Sequence, residues 1–398
     1  MDFTFPPALA ELRAQVRRFV DERVIPVEDE IIAQDAAGRH DTLHTLQAEV
    51  KAAGLWAPHL PVEHGGLGLG VMGMCALFRE MGRSMVGPRV FHCDAPDQGN
   101  MDLLIQVADQ AVKDRYLKPL CAGEITSAFC MTEPAPGAGA DPTNLRTRAD
   151  RDGDGWVING RKWYTTGGRD ASFLLVMART SDDPLSGATL FVVDRHAPGV
   201  NYLRDIPVMA EPLLAHREGE LSFDGVRVGP QAVLGGEGWG FALAQQRLVP
   251  ARLTHCMRWL GLADRALQLS REHLNRRVSF GKRLGEHQLV QLKLAEGAMA
   301  VHAGDLMTLR CAWMLEQGQD HQEVKVWSSM AKTQVAQALC KVLDDAIQTH
   351  GGLGYSDDVP FARWYRYARA ARIADGPDEV HLVTIARALL KGRLQLLT

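Results

Sequence analysis

CMTEPAPGAGAD, residues Cys130–Asp141, is followed twenty residues later by RKWYTTGG, residues Arg161–Gly168. The first segment carries little side-chain bulk after Glu133, so its backbone amides can approach a large polar ligand closely. In the second segment Trp163 lies two residues before Thr165, and in a strand two such side chains share a face. A ring and a hydroxyl on one face suit a flat ligand that is stacked and hydrogen-bonded, which suggests a flavin site. Taken alone, each segment also suits a tight turn or a buried strand.

The composition is typical of a globular protein: of 398 residues, 46% are hydrophobic and 23% are charged. A chain of this length exceeds one ordinary hydrophobic core, so we expect two or three packed units. The formal net charge of −4 argues against nucleic acid or an anionic membrane as the main partner. No apolar run approaches the roughly 18 residues that cross a bilayer, so we expect no membrane span.

The N-terminal residues and the cysteines both indicate a cytoplasmic protein. Leu9, Leu12, Val16 and Phe19 lie on one helical face, which predicts a structural first helix in place of a presequence. The seven cysteines are scattered and contain no Cys-x-x-Cys pair. This usage predicts buried free thiols in a reducing compartment.

Three regions follow one another along the chain. Residues 1–123 are helix-like, residues 124–240 contain short runs rich in β-branched and aromatic residues, and residues 241–398 return to helical spacing. The order predicts an α+β fold, mainly α: an N-terminal helical domain, a central β domain and a C-terminal helical bundle.

Finer patterns lie inside these regions. Runs at 156–158, 173–177 and 190–193 predict strands, with tight turns at Asp154–Gly155 and Asn159–Gly160. In the last region apolar residues recur every three or four positions, which predicts one packed stripe of a long helix. This stripe comprises Leu292, Ala295, Met299, Ala303, Leu306, Leu309 and Trp313.

Three later segments contain further candidate ligand contacts. Arg276–Lys282 (RRVSFGK) combines guanidinium groups with an aromatic, and arginine suits a pyrophosphate, although a basic helix surface explains it equally well. Gln348–Tyr355 (QTHGGLGY) places two glycines after a helix. Arg372–His381 (RIADGPDEVH) contains Asp375, which is interpreted either as a functional acid or as a helix N-cap before Pro377.

Taken together, these segments resemble the acyl-CoA dehydrogenase family of flavoproteins, and the resemblance covers essentially the whole chain. Their order and separations make the set specific, although no single segment is. The pattern is most similar to the branch whose active-site segment reads Asp-Gly-Pro-Asp-Glu. The matching stretches are LPVEHGG, CMTEPAPGAGAD, RKWYTTGG, LSFDGVRV, RRVSFGKRLGEHQ, QTHGGLGY and RIADGPDEVH.

The resemblance implies that the central domain is β-barrel-like, that the last domain is a four-helix bundle, and that the cofactor is FAD. The residues that would line the isoalloxazine ring are Met131, Thr132, Trp163 and Thr165. The residues that would contact the pyrophosphate and adenosine of an FAD held mainly by a partner chain are Arg277, Phe280, Gln288, Gln348, Gly351 and Gly352. The implied assembly is a homodimer or homotetramer.

The resemblance also implies the chemistry, which is α,β-dehydrogenation of an acyl-CoA with an electron-transferring flavoprotein as the usual acceptor. Asp375 stands where most members have a catalytic glutamate, and Arg252 would contact the substrate. We expect burial to raise the pKa of Asp375, because a dry pocket disfavours its charge. Ala140 and Pro377 replace residues that commonly contact FAD in the family. An Asp base also occurs in nitroalkane oxidases of the same superfamily, and a non-redox acyl-CoA or flavin-binding protein is the other alternative.

Overall fold

The computed structural model describes residues 4–183, 186–209 and 217–394. Helices occupy both ends of this part of the chain, and a sheet lies between them. The helices are α1 (Pro7–Phe19), α2 (Glu28–Ala36), α3 (Asp41–Ala52), α4 (Gly70–Met81), α5 (Gly87–Val90), α6 (Asp97–Val107), α7 (Gln110–Val112), α8 (Lys118–Ala122), α9 (Gly240–Arg276), α10 (Gln288–Glu316), α11 (His321–His350), α12 (Gly352–Tyr355), α13 (Phe361–Arg369) and α14 (Asp378–Leu390).

The strands form one mixed sheet and one small hairpin. They are β1 (Ser127–Cys130), β2 (Arg148–Asp152), β3 (Gly155–Thr166), β4 (Phe173–Arg179), β5 (Ala188–Asp194), β6 (Val200–Asp205), β7 (Glu218–Val228), β8 (Val233–Leu234), β9 (Val278–Ser279) and β10 (Lys282–Arg283). In the sheet the order is β6-β7-β3-β2-β4-β5-β8, and β1 pairs with β4 in parallel. The mainly α, α+β fold predicted from the sequence is confirmed.

The tight turn predicted at Asn159–Gly160 is wrong, because both residues lie inside the long strand β3. The pairing of β3 with β7 shifts register between Ile158 and Gly160, which marks a β-bulge. Gly160 has φ of 152°, and a Cβ there would lie 2.5 Å from the Thr147 hydroxyl. The glycine therefore permits a close approach of two strands, and the Asn-Gly pair does not reverse the chain.

The apolar stripe of α10 is also assigned wrongly by its spacing. The helix is present, but Leu292, Met299, Leu306 and Trp313 are between 39% and 72% exposed in the chain. The face of α10 that packs inward contains Gly297 and Gly304, where a Cβ would meet side chains of the neighbouring helices. Counting large apolar residues overlooks a contact face made of small ones.

Two hydrophobic cores organise the described residues. The first joins α1–α5 to the C-terminal helices, and it includes the predicted first-helix face, with Val16 fully buried and Leu9, Leu12 and Phe19 packed against it. The second joins α6–α8 to the sheet. All seven cysteines are free, and six of them are buried. In the part of the chain described, no helix has the length and apolar character needed to cross a bilayer.

Helices α4 and α9 touch at backbone distance, which brings the N-terminal helices against the bundle. A Cβ added at Gly261 of α9 would lie 2.4 Å from the Arg79 carbonyl oxygen. A Cβ added at Gly82, just after α4, would lie 2.3 Å from the Cα of Arg258. Such distances leave no room for a methyl group on either side, so the crossing requires both glycines.

We therefore expect Gly261→Ala to lower the free energy of unfolding by about 1–3 kcal/mol through overpacking, despite the better helix propensity of alanine. Urea unfolding followed by far-UV circular dichroism measures this. Gly297→Ala is the matched control, because its Cβ would meet only the ends of the Leu267 and Val342 side chains, at 3.0 and 3.2 Å. Equal destabilisation of the two variants would show that the α4–α9 crossing is not tightly packed.

Candidate active site

A buried ion pair folds the Gly/Pro-rich loop that follows β1. Lys162 of β3 donates from Nζ to Glu133 Oε1 at 2.9 Å, and the two side chains are 0% and 2% exposed. The same carboxylate accepts hydrogen bonds from the backbone amides of Arg146 and Thr147, at 2.7 and 2.8 Å. Because a buried carboxylate is stable only when paired and hydrogen-bonded, Glu133 fixes the loop against the sheet.

This arrangement brings the two halves of the predicted flavin site together. The Lys162 ammonium also donates to the carbonyl of Met131 at 2.9 Å. The amide of Trp163 donates to the carbonyl of Thr132 at 3.0 Å. The backbone of Met131 and Thr132 therefore lies directly beside the segment that contains Trp163 and Thr165.

Trp163 and Thr165 do not lie in the regular strand geometry from which a shared face was predicted. Tyr164, between them, has φ of 49°, and the pairing of β3 with β7 shifts register between Lys162 and Thr165. A bulge interrupts the alternation of side chains, so a shared face does not follow from simple strand geometry. What bears on a flavin site is therefore the surroundings of their polar side-chain atoms.

Two buried polar atoms in this segment fit a bound flavin. Trp163 Nε1 and Thr165 Oγ1 have no hydrogen-bond partner among the described residues. The Cys130 thiol lies beside the Thr165 hydroxyl, but a thiol is a weak partner. Buried polar groups are normally paired, so an indole donor and a hydroxyl beside an ordered loop suit a ligand with a flat, polar-edged ring.

The second part of the site is the loop before α14. Asp375 has φ of 54° and Gly376 has φ of 102°, so two successive residues lie in the left-handed region. For a residue with a side chain this conformation costs roughly 1–3 kcal/mol and is common at functional sites. Arg252 Nε donates to the Asp375 carbonyl at 3.1 Å, and His381 Nε2 lies 3.2 Å from the same oxygen.

The interpretation of Asp375 as a helix N-cap is wrong. Helix α14 begins at Asp378, its N-cap residue is Pro377, and no side chain forms a cap hydrogen bond there. The Asp375 carboxylate points elsewhere: its Oδ2 atom lies 3.2 Å from His255 Nε2. The imidazole N–H is not aligned with this oxygen, which makes no hydrogen bond within the described residues. The carboxylate is thus available for chemistry.

The expectation of a raised pKa for Asp375 is wrong as well. Burial does raise the pKa, but four neighbouring groups outweigh it and lower the pKa below its usual value. These groups are His255, Arg252, Arg247 and Lys332. Burial lowers the pKa of His255 itself to about 4, helped by Arg258, so this imidazole is neutral at pH 7. Permanent cations therefore keep Asp375 ionised there.

The remaining predicted residues form a separate group on the surface. Arg277 is the C-cap residue of α9, directly before the β9–β10 hairpin, and Phe280 lies in the turn of that hairpin. Phe280 has φ of 52° and is 93% exposed at the tip of the turn. His273 and His350 stack with ring centroids 4.1 Å apart, which places the end of α9 beside the end of α11.

The hairpin therefore lies near the segment that contains Gln348, Gly351 and Gly352, all exposed, while Gln288 begins α10 directly after it. No hydrogen bond, ion pair or ring contact of the described residues joins this surface group to the loop beside Trp163. The predicted cofactor contacts thus fall into two groups that share no direct contact within the described residues.

Sequence reasoning missed the side chains that surround Asp375. Of these, His255 could have been found, because it follows Arg252 by three residues and so shares its helix face. Arg247 is identified by its contacts: it donates from Nε to Asn100 at 2.9 Å and lies over the Phe129 ring of β1. Lys332 and His381 are buried but carry no sequence signal, because such residues usually lie at surfaces.

Comparison with known proteins gives matches along almost the whole chain. Three family models match in order: the N-terminal domain of acyl-CoA dehydrogenase at residues 6–124, the middle domain at 128–226 and the C-terminal domain at 238–390. Probable acyl-CoA dehydrogenase FadE2 of Mycobacterium tuberculosis is 39% identical, and the match covers 98% of this chain and 97% of that protein. Acyl-CoA dehydrogenase family member 11 of Mus musculus is 36% identical over 98% of this chain, but the chain spans only 51% of that longer protein.

Solved structures show the same architecture. One from Mycobacterium abscessus is 37% identical with a TM-score of 0.93, and the match covers 98% of this chain and 100% of that one. Butyryl-CoA dehydrogenase from Megasphaera elsdenii is 26% identical with a TM-score of 0.84, covering 98% of this chain and 100% of that one. From these matches in sequence and structure, the chain belongs to the acyl-CoA dehydrogenase family of oxidoreductases.

Proposed function

We propose that this chain binds FAD and converts a saturated acyl-CoA thioester into the trans-2-enoyl-CoA, with Asp375 as the base that removes the α-proton. The observation that carries the proposal is the carboxylate itself. It is ionised, held on a strained loop, and has an oxygen without a hydrogen-bond partner among the described residues. A strained conformation of this kind persists only when its surroundings fix it, and here Arg252 and His381 hold the Asp375 carbonyl.

The residues around the loop serve both proton removal and charge stabilisation. The amide of Asp375 donates no hydrogen bond to another described backbone group, so it is available for a thioester oxygen as negative charge develops there. Arg252, assigned to the substrate by resemblance, donates from Nε to the Asp375 carbonyl. It therefore acts at least partly by holding the base.

Bound FAD would supply the acceptor for the hydride that leaves the β-carbon. Met131, Thr132, Trp163 and Thr165 would hold its ring, since they combine a fixed backbone with two unpaired polar atoms. Ala140 has no polar side chain to offer FAD, so in that part of the Gly/Pro-rich loop the backbone amides would bind it instead. An electron-transferring flavoprotein is the proposed acceptor of the electrons.

The alternatives differ in substrate and in redox activity. A nitroalkane oxidase also needs a carboxylate base to remove an acidic proton, and an ionised Asp375 would serve that reaction too. A non-redox acyl-CoA or flavin-binding protein could use the unpaired polar atoms to hold a ligand but would have no use for the base. The experiment that separates all three is anaerobic mixing of the purified protein with substrates while flavin absorbance is followed.

We expect the purified protein to contain about one FAD per chain and to lose its flavin absorbance with a saturated acyl-CoA from a panel of chain lengths. Nitroalkanes should leave the absorbance unchanged. Bleaching by a nitroalkane alone would favour the oxidase, and a stable yellow protein bleached by neither would favour a binding protein. A colourless protein that cannot be reconstituted with FAD would refute the proposal.

We expect Asp375→Asn to keep FAD and bind acyl-CoA but to reduce its flavin about two to four orders of magnitude more slowly, because an amide cannot accept the α-proton. Asp375→Glu should keep part of the activity, since it restores a carboxylate on a side chain one methylene longer. Stopped-flow absorbance measures both rates. Reduction of the Asn variant at the wild-type rate would remove Asp375 from the mechanism and direct attention to the exposed Glu379.

We expect Arg277→Ala to lower FAD retention and to weaken the oligomer together, because the exposed hairpin would contact FAD across a subunit boundary. Arg276→Ala is the control, since Arg276 is adjacent, its side chain is 80% exposed and its nearest acid, Glu272, is 3.9 Å away. Flavin content and sedimentation velocity are the measurements. A fully active, FAD-replete monomer would contradict this arrangement.

A further inference from the structure

Three helices converge on Asp375 and Gly376, the two residues with positive φ in the loop before α14. Arg252 comes from α9, His381 from α14, and Lys332 from α11, and each contacts a backbone carbonyl of Asp375 or Gly376. Arg252 and His381 share the carbonyl of Asp375. Among the described residues, only Lys332 forms a hydrogen bond with the carbonyl of Gly376, to which its Nζ donates at 2.7 Å.

The carbonyl of Asp375 determines which ring nitrogen of the neutral His381 carries the hydrogen. A carbonyl oxygen can only accept, so the Nε2 atom that faces Asp375 carries the hydrogen. The Nδ1 atom lies 3.1 Å from the Ser329 hydroxyl, which also lies 2.9 Å from the Lys325 carbonyl and donates to it. Burial lowers the pKa of His381 to about 4, so the neutral ring is the form present at pH 7. Ser329 and Lys332 are three residues apart and lie on one face of α11.

Gly376 is the residue of this loop whose backbone conformation is least restricted by its own covalent structure. Glycine samples positive and negative φ almost equally, and its neighbour Pro377 has no N–H to hold it in place. A Cβ at residue 376 would lie 2.8 Å from His381 Nε2, so a less flexible residue cannot replace it. The loop must therefore be held by a donor from outside, and Lys332 is that donor.

Stability alone does not explain a lysine at this position. Its side chain is 0% exposed, and its nearest carboxylate oxygen, on Asp378, is 3.8 Å away, beyond hydrogen-bond distance. Asp378 already has the guanidinium of Arg372 at 2.7 Å. Burying a cation costs free energy that an apolar side chain of the same length would not incur, and Arg372 would still pair with Asp378 if Lys332 were replaced.

We propose that Lys332 is a positioning residue for Asp375: by holding the Gly376 carbonyl, it fixes the direction in which the carboxylate points. The inference rests on the proposed role of Asp375 as the base. It predicts that the residue matters for the rate of proton removal and little for FAD, for substrate affinity or for folding.

The test compares Lys332→Met with Lys341→Met in the FAD-loaded protein. Lys341 is nine residues further along α11, and its side chain is 48% exposed. Hydrogen–deuterium exchange of the peptide 372–381 reports the hold on the loop without any substrate. Steady-state turnover of an acyl-CoA that the wild type accepts, with an added electron acceptor that reoxidises the flavin, then reports kcat and KM.

For Lys332→Met we expect faster exchange in that peptide and a kcat lowered by about 10- to 100-fold, with KM and FAD content changed by less than about threefold. Lys341→Met should match the wild type in every measurement. A second signature is pH dependence. Asp375 faces Arg247, Arg252 and His255 from α9, Lys332 from α11 and His381 from α14. Removing one cation should move the acid limb of flavin reduction to higher pH.

Unchanged exchange, or faster exchange with a kcat within about twofold of the wild type, would overturn the proposal. If Lys332→Met does not fold, Lys332→Gln is measured in the same way, because it removes the charge while keeping a polar end group. Failure of every acyl-CoA to reduce the wild-type flavin would instead refute the proposed function. Failure confined to the Lys332 variants refutes only this inference.

Discussion

The backbone contact between Gly82 and helix α9 is the constraint on which the rest of the molecule depends. Because α4 crosses α9 without intervening side chains, the N-terminal helices and the bundle share one hydrophobic core. Helix α9 spans 37 residues and contains Pro250 between Arg247 and Arg252, and the crossing at Arg258 and Gly261 holds the part that follows this proline. This helix contributes three of the side chains that act on the Asp375 carboxylate, namely Arg247, Arg252 and His255. The active-site electrostatics are thus a consequence of helix packing.

In the proposed reaction Asp375 would be a base with a lowered pKa and therefore a weak base, which limits how the site could work. Permanent cations keep Asp375 ionised, so no proton has to be removed from it before reaction at neutral pH. The same cations reduce its affinity for the α-proton. The rate of α-proton transfer would therefore depend on how the Asp375 carboxylate is oriented. It would also depend on the exclusion of water when an acyl chain enters the site. Hydrogen bonds to the carbonyls of Asp375 and Gly376 would fix the orientation of that carboxylate.

The sequence predicted the fold class and selected Asp375, but not the surroundings of Asp375. Motifs are local, and the Gly/Pro-rich loop and the segment around Trp163 are each readable from a few residues. Lys332 and His381 lie 43 residues before and 6 residues after Asp375 in the sequence, and only the packing of α11 against α14 brings both to the loop. The spacing of apolar residues gave a wrong prediction of the packed face of α10 for a related reason. It ranks large apolar residues as core, whereas α10 packs inward through Gly297 and Gly304.

The exposed apolar face of α10 belongs to the helix that follows the β9–β10 hairpin, where the second group of predicted cofactor contacts lies. Large apolar side chains that a single chain leaves exposed on α10 lie on the helix that begins at Gln288, directly after the hairpin of Phe280. Exposing such a row in water is unfavourable, and contiguous apolar surface commonly marks a contact with another protein. If a second copy covers this face, the same association delivers the hairpin to the partner's cofactor. One apolar helix face would then both stabilise the oligomer and complete the site, so cofactor release and dissociation should be coupled in both directions.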